Sequence, residues 1–420
     1  MISVITPAHK VSIDIWKQTV DSMSAQTYQG PYEWVICPNG KALKSSLPDY
    51  VEQARNVRIV PFKEETHGSI GLIKNFAFSQ GKGDILVELD WDDILMPTAL
   101  EEVAKAFDEG ADFCSSNAFY FVGDFKKSQR FNSAYGWRWR PFTYNGHELD
   151  EILSFPVSAG SILSIHNAPD HLRAWKRATY EQLGGHDVSL PVADDHDLMI
   201  RTYLAGCRMV HLDRCLYGYR NDPGNTVNSS RNAEIQQFNH ANYRKYLEPV
   251  ALKFAKDSSL LALDLGAGFN HQPGYASVDA VAPADFVCDL NERWPFEDNS
   301  VGVIRAHDIL EHLTDKQHAV SEIHRVLAHG GFILSFTPSA LGQGGWQDPT
   351  HKSAWVKNSW LYYTKSQFMQ YIRNNDIRFL THCLCEEHPS PWHKEMGIPY
   401  VTFEGQAIKP GGARLPGLME

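Results

Sequence analysis

The stretch ILVELDWDDILMP, residues 85–97, is a greasy strand that ends in a knot of carboxylates. Ile85, Leu86, Val87 and Leu89 suit a buried strand, yet Asp90, Asp92 and Asp93 crowd its end. Like charges this close repel and resist desolvation, so the pattern implies something positive between them, most simply a divalent metal ion. Taken alone, the same residues also fit an acidic turn or a helix N-terminus.

Upstream of the knot, ISVITPA, YEWVICPNG and VRIVPF read as strands, and IDIWKQTVDSMSAQT and PDYVEQAR as helices. GSIGLIKNFAFSQGKG reads as a helix closed by glycines. This alternation predicts βαβ units and a mainly parallel sheet, in which ligands gather at the carboxyl ends of strands, where Asp90 to Asp93 fall. From about 116 to 190 the pattern is irregular and aromatic-rich, and a clear helix returns at DDHDLMIRTYLAG. After the turn-rich YGYRNDPGNTVNSS, one or two connecting helices are expected in NAEIQQFNHANYRKYLEPVALKFAKD. The α/β pattern then restarts: LLALDLGAGFN is a strand running into a glycine turn, with further strands at YASVDAV, ADFVCDL, VGVIRAHDI and GGFILSFTP. The expected domains are 1–225 and 255–420, with connecting helices over 226–254.

A chain of 420 residues supports two or three cores. Its hydrophobic fraction of 43% is that of a globular protein, and no apolar run approaches the roughly 20 residues that span a bilayer. MISVITPAHKV lacks a basic leader, so a cytoplasmic location is expected. Seven scattered cysteines fit reduced thiols, and Cys383 and Cys385 lack a second pair at zinc spacing. The net charge of −11 argues against non-specific nucleic-acid binding by the whole surface. Locally, KKSQRFNSAYGWRWRPF (126–142) interleaves Arg130, Arg138 and Arg140 with Trp137 and Trp139, which suits phosphates, sugars or bases, or equally a surface loop packed by its aromatics.

VITPAHK, VICPNG, LIKNFAFSQGKGD and ELDWDD stand in the order and spacing of GT-A glycosyltransferases, and the match resembles glycosyltransferase family 2. The resemblance implies a GT-A (nucleotide-diphospho-sugar transferase) fold, a nucleotide sugar donor with a UDP-sugar as first expectation, and Mn²⁺ or Mg²⁺ on the diphosphate. Carried over, Asp92 is the main metal ligand, Asp90 contacts ribose or metal, and Asp93 completes the acidic set and orients it. Thr6, Pro7 and Asn39 line the nucleoside pocket, and Lys74 and Asn75 stand for the Arg-Asn of the helix before the acidic strand. The family's Asp-Asp-Gly-Ser after the second strand is Pro38-Asn39-Gly40-Lys41 here, which weakens the case for uridine. A second acidic motif follows in YEQLGGHDVSLPVADDHDLMIRTYLAG, where Asp195, with Asp194 second, corresponds to the base that takes the acceptor's proton in an inverting transfer. Asp194 and Asp197 also fit an ordinary cap and ion pair. Beyond Tyr219-Arg220, where many relatives have a metal-binding His, Asn221 and Asp222 leave the third ligand open.

The region from LALDLGAGFN through GGFILSFTP resembles class I S-adenosylmethionine-dependent methyltransferases. Its landmarks are Trp294-Pro295-Phe296, Asp298-Asn299-Ser300, Leu310-Glu311-His312, Arg325-Val326-Leu327 and Gly330-Gly331. The resemblance implies a Rossmann-like fold that binds S-adenosylmethionine: Asp264, Gly266 and Gly268 at the methionine portion, Asp279 at the ribose, Asp289 and Leu290 at the adenine, and His307 with Asp308 beside the methyl group. About ten residues separate Gly268 from Asp279, too few for the usual first helix, and the acid expected after Ser300 is Gly302. WQDPTHKSAWVKNSWLYYT is expected to cap the pocket and meet substrate through His351, Trp355 or Tyr362, or to be an aromatic-rich loop and final helix.

The expected activity is metal-dependent sugar transfer to a carbohydrate or glycolipid acceptor, with methylation of the product. Two rivals stand beside it: a phage-type transferase acting on modified bases in DNA, favoured by 126–142 and opposed by the net charge, and a methyltransferase-like half that only binds. Oligomeric state is not legible.

Overall fold

A computed structural model describes residues 1–9, 12–40, 47–166, 168–225, 228, 231–372 and 376–418. Lys41 of the Pro38–Lys41 motif, Lys10 of the first strand-end stretch and parts of 226–230 lie outside the described residues. The chain forms two compact units: residues 1–133 with 137–246, and residues 134–136 with 247–420.

In the first unit, β1 (Ile2–Ala8), β2 (Tyr32–Pro38), β3 (Val57–Ile59) and β4 (Ile85–Glu88) are parallel, in the spatial order β3-β2-β1-β4. The sheet continues through β10 (Arg173–Lys176), antiparallel to both neighbours, to β6 (Phe113–Val122), β11 (Met209–Arg220) and the short β5 (Ile94–Leu95). Apolar residues of β4 and its extension, Leu86, Val87 and Leu89, are at most 1% exposed, so the strand sits mid-sheet and delivers Asp90 to the carboxyl edge. The helix Ile70–Gln80 starts where the Ser69 hydroxyl accepts the Leu72 N–H and stops at Gly81. Its first turn approaches the loop before the second acidic motif so closely that a Cβ on Gly71 would meet Asp187 O at 2.3 Å.

The aromatic stretch differs from the loop expected. Residues Arg138–Tyr144 form β8, paired antiparallel with β9 (His147–Leu153), and Lys126–Lys127 form β7 against β6. Phe142 and Tyr144 share one face of β8 and pack on Phe119, while Trp139 lies on the other face, so no single apolar alternation marks the strand in the sequence.

The second unit has one sheet in the order β14-β13-β12-β15-β16-β18-β17. Its strands β12 (Leu261–Leu265), β13 (Ala276–Asp279), β14 (Phe286–Val287), β15 (Val301–His307) and the start of β16 (Leu327–Pro338) run parallel, while β17 (Arg378–Glu387) and β18 (Tyr400–Ile408) close it antiparallel. No helix separates β12 from β13. The helix Asn232–Asp257 is a single element despite Pro249, and it begins in the first unit and ends in the second. No described helix is long and apolar enough to cross a membrane.

Candidate active sites

The acidic loop after β4 is held from β11. The Asp90 N–H donates to the Tyr217 hydroxyl (3.2 Å), which donates to Asp93 Oδ2 (2.7 Å), while the Arg220 N–H donates to Asp93 Oδ1 (2.7 Å). The Arg220 guanidinium donates to Asp92 O (2.9 Å) and lies over the Phe121 ring. Asp93 is 1% exposed and both its oxygens are engaged, so it anchors the loop and is withdrawn from the expected metal set. Burial, then Asp92 and Asp90, push its carboxyl well above the usual range. Asp90 and Asp92 stay half-buried at the sheet edge.

Beneath them lies a row of alternating buried charges. Lys74 pairs with Glu88 and stands 3.9 Å from Asp90. Arg173 stands 3.9 Å from Glu88 and donates to Asp195 Oδ2 at 2.5 Å. Glu88 and Arg173 are at most 1% exposed. Burial disfavours every charge in the row, and the row persists because each member has an opposite neighbour. Against burial, Asp90 and Glu88 hold the Lys74 ammonium well above its usual range, and Arg173 and Lys74 hold the Asp195 carboxyl far below its own. Lys74 therefore ties the first acidic motif to the second and is not exposed to a nucleotide as expected.

Asp194 starts the helix Asp194–Leu204 behind Ala193, which adopts a left-handed backbone. Its Oδ2 lies 2.7 Å from His186 Nδ1, both side chains being buried. Asp195 Oδ1 accepts its neighbour's N–H from His196 (2.8 Å). Asp197 is a structural anchor, bonded by Arg201, Lys245 and Tyr246.

At the ends of β1 and β2, Thr6 and Pro7 are buried, and the Thr6 hydroxyl accepts from Trp34 Nε1 (2.9 Å). Asn39 is 5% exposed, and its Oδ1 is without a hydrogen-bond partner among the described residues. A buried acceptor of this kind fits a ligand donor. Asn75 differs from expectation: its amide donates to His186 O (2.8 Å) and Gly184 O (3.4 Å), so it fixes the loop before the second motif.

A metal fits the upper end of the row. Glu88, Asp90 and His171 offer ligand atoms within 4.8 Å of one another, and His171 Nε2 is buried without a hydrogen-bond partner among the described residues. Lys74 takes only Oε1 of Glu88, whose Oε2 is without a hydrogen-bond partner among the described residues, so Glu88, Asp90 and His171 are an oxygen and imidazole set that suits Mn²⁺ or Mg²⁺, with Asp92 two residues on from Asp90. Asn221 and Asp222 instead bond Ser128 and the Gly123 N–H.

The basic stretch 126–142 is largely neutralised. Arg130 and Arg140 make two-pronged bonds to Asp150 and Glu151, Lys127 joins Asp150 at 2.7 Å, and Trp137 is 6% exposed. Its aromatics pack the domain, and the cations left for nucleic acid are few.

In the second unit, Gly266 follows β12 with a φ of +66°, and a Cβ there would meet Ile309 at 2.6 Å. The glycine thus lets the loop after β15 close on the turn. The Gly268 and Val281 N–H groups donate to the two oxygens of Asp279 (2.9 and 3.1 Å), which keep second lone pairs for ribose hydroxyls. Asp264 Oδ1 accepts from Arg305 (2.9 Å), and its buried Oδ2 has no hydrogen-bond partner among the described residues, so the strand end retains an acceptor that suits a cofactor. Asp289 is exposed and caps Asn291, beside the buried Leu290. Burial, aided by Arg305, lowers His307 to about 4. Gly302 replaces the expected acid because a Cβ there would stand 2.6 Å from Ala255. Trp355 is 1% exposed against Trp360 and belongs to the core, not to a substrate site as expected.

The family model "Glycosyl transferase family 2" matches residues 3–166, and the model "Methyltransferase domain" matches residues 245–335. The chain joins a family 2 glycosyltransferase domain to a class I methyltransferase domain. The glycosyltransferase domain has the α/β architecture of GT-A folds, and the methyltransferase domain the Rossmann-like one without its first helix. The chain is similar to the O-antigen biosynthesis protein RfbC of Myxococcus xanthus, 26% identical over 254 residues, covering 60% of this chain and 18% of RfbC. It is also similar to the uncharacterized protein y4gI of Sinorhizobium fredii, 23% identical over 238 residues, covering 55% of this chain and 23% of y4gI. The chain thus spans about a fifth of the length of these curated relatives. Among solved structures, S. aureus TarS 1-349 in complex with UDP aligns at a TM-score of 0.41 and 16% identity, over 60% of this chain and 65% of that one. GalNAc-T7 with UDP, GalNAc and Mn²⁺ aligns at 0.39 and 14%, over 52% and 44%.

In the glycosyltransferase domain, Glu88, His171, Arg173, His186 and Tyr217 escaped the sequence reading. Glu88 left a signal: in a strand with period two it shares a face with Asp90. Arg173 and His171 left none, because DHLRAWK falls in the irregular stretch.

Proposed function

We propose that the chain transfers a sugar from a nucleotide diphosphate donor to an acceptor hydroxyl of a surface polysaccharide, with inversion, and that its second domain methylates the product from S-adenosylmethionine. The observation that carries this reading is the row Asp90, Lys74, Glu88, Arg173, Asp195, which links a carboxyl group from each acidic motif in one charge network. The orphaned Asn39 Oδ1 supports a nucleoside at the ends of β1 and β2. Glu88, Asp90 and His171, with Asp92 beside them in the chain, would hold a divalent metal, which would neutralise charge growing on the departing diphosphate. Asp195 accepts the proton of the acceptor hydroxyl as its oxygen bonds to the anomeric carbon and the bond to the diphosphate breaks. Arg173 keeps Asp195 ionised and aimed, a positioning task, and its charge makes Asp195 a weak base that takes the proton late, once the hydroxyl has become acidic.

The transferase part is assigned to 1–225, the link to 226–254 and the methyltransferase part to 255–420. A cytoplasmic site of action fits both cofactors. The similarity to an O-antigen biosynthesis protein supports a polysaccharide acceptor, and the pairing of Arg130 and Arg140 disfavours DNA. The test is a thermal-shift panel of nucleoside diphosphates and S-adenosylmethionine, with and without Mn²⁺. A ligand selective for the folded state raises the melting temperature by mass action. A Mn²⁺-dependent shift with one nucleotide, lost in Asp92→Ala, is expected; no shift with any nucleotide refutes the transferase reading.

A further inference from the structure

Glu311 is 1% exposed, and neither of its carboxyl oxygens has a hydrogen-bond partner among the described residues. A buried acid without partners is costly and persists where another group supplies what it lacks. Two imidazoles face it. His351 Nε2 lies 3.9 Å from Glu311 Oε1, and the His312 ring stands at 82° to the His351 ring with centroids 4.8 Å apart. One ligand atom from each of the three residues falls within 4.8 Å of the others. Bonds of about 2.1 Å to one ion place ligands roughly 3–4 Å apart, so small side-chain adjustments close the set.

In each neutral imidazole the surroundings favour the tautomer that binds metal. His351 Nδ1 is 3.3 Å from Gly345 O, which can only accept, so Nδ1 carries the proton and Nε2 presents its lone pair towards Glu311. The Thr350 hydroxyl donates to Asp348 Oδ1 (2.6 Å) and therefore accepts from His312 Nδ1 (3.1 Å), which in the neutral ring makes Nε2 the lone-pair nitrogen. A second hydrogen bond of this kind orients ligating histidines in metal sites. The loop that carries His351 is itself tied to the Glu311 carbonyl by the N–H groups of Lys352 (2.7 Å) and Ser353 (2.9 Å).

We propose that Glu311, His312 and His351 form a seat for a divalent transition-metal ion at the carboxyl end of β15, next to the methyl-donor cleft. Two imidazoles and one carboxylate suit Zn²⁺, Mn²⁺ or Fe²⁺ and leave coordination positions for oxygen ligands. One is within reach of Asp348, whose carboxylate lies 4.0 Å from His351 Nε2. The remainder suit a hydroxyl-bearing acceptor, a use that rests on the methyl-transfer reading, whereas the seat itself does not. Ile309, two residues before Glu311, packs on Gly266, so the seat adjoins the glycine turn of the cofactor motif.

The test titrates the chelator-treated full-length protein with Co²⁺ and reads visible d–d absorption together with bound metal by elemental analysis. One equivalent is expected to persist in Asp92→Asn and to weaken at least tenfold in Glu311→Gln, His351→Gln and His312→Gln. His312 is half-exposed, so its variant serves where the buried ones fail to fold by circular dichroism. Unchanged Co²⁺ binding in folded Glu311→Gln or His312→Gln, or loss of all Co²⁺ in Asp92→Asn, overturns the proposal. A missing S-adenosylmethionine thermal shift with Co²⁺ binding intact removes the methyl-transfer reading and leaves the seat standing.

Discussion

The two clefts lie at equivalent places, the carboxyl ends of parallel strands, yet they treat buried carboxylates in opposite ways. In the glycosyltransferase domain Glu88 and Asp195 are ionised because Lys74 and Arg173 were folded in beside them. In the methyltransferase domain Glu311 has no Lys or Arg partner among the described residues, and burial pushes it up to about 8. The first cleft is electrostatically complete at its base and leaves Asp90 and Asp92 half-buried at its rim. The second leaves a gap that a ligand must fill. A row of paired charges is hard to alter one member at a time, whereas an unpaired acid is easily replaced.

The contrast is broken most severely by Arg173→Met, which leaves Glu88 and Asp195 facing each other without a guanidinium. A loss of about 3–5 kcal/mol is expected in urea unfolding of the glycosyltransferase domain, with sugar transfer abolished. An unchanged urea midpoint would mean that the row does not support the fold.

Acid is a gentler probe. Burial lowers His324 and His382 to about 4. An unfolded imidazole takes its proton near pH 6.5, so between about 6.5 and 4 the unfolded chain binds more protons and stability falls as the pH drops. At pH 5 the methyltransferase domain should lose about 1–2 kcal/mol per buried histidine relative to pH 7, and His382→Phe, which keeps the stack on Phe332, should flatten that slope.

Glu311→Gln should change metal-free stability by no more than about 1 kcal/mol, in deliberate contrast to Arg173→Met, because a neutral amide replaces an acid that no cation supports. Smallest of all, Lys126→Ala with Arg138→Ala should alter stability by less than about 0.5 kcal/mol, since both are exposed. The same double variant should leave nucleotide binding intact; salt-sensitive DNA binding that it abolishes would revive the nucleic-acid reading.

The sequence made the acidic ends legible because hydrophobic strands and carboxylates contrast sharply along the chain. Asp90, Asp92 and Asp195 stand out in this way, as do Asp264 and the glycines after β12. Partners brought by long-range pairing left no such mark. Arg173 reaches Glu88 only because β10 inserts antiparallel between β4 and β6, a pairing set by tertiary packing. Asn75 and Asp93 carried family-like positions, but their donors and acceptors are taken up by backbone groups and a tyrosine that only folding brings near. Gly302 was read as a missing acid, and its cause is the approach of Ala255 from a helix the sequence treated as a linker.

That helix, Asn232–Asp257, also constrains how the gene can be divided. Its Lys245 and Tyr246 hold Asp197 of one domain, and a few residues later Ala255 is buried against Gly302 of the other. No cut inside it yields two intact fragments, and separate expression calls for both pieces to carry the whole segment. The shared segment is thus a part common to both domains: the two halves cannot be swapped for those of a relative by exchanging a loop.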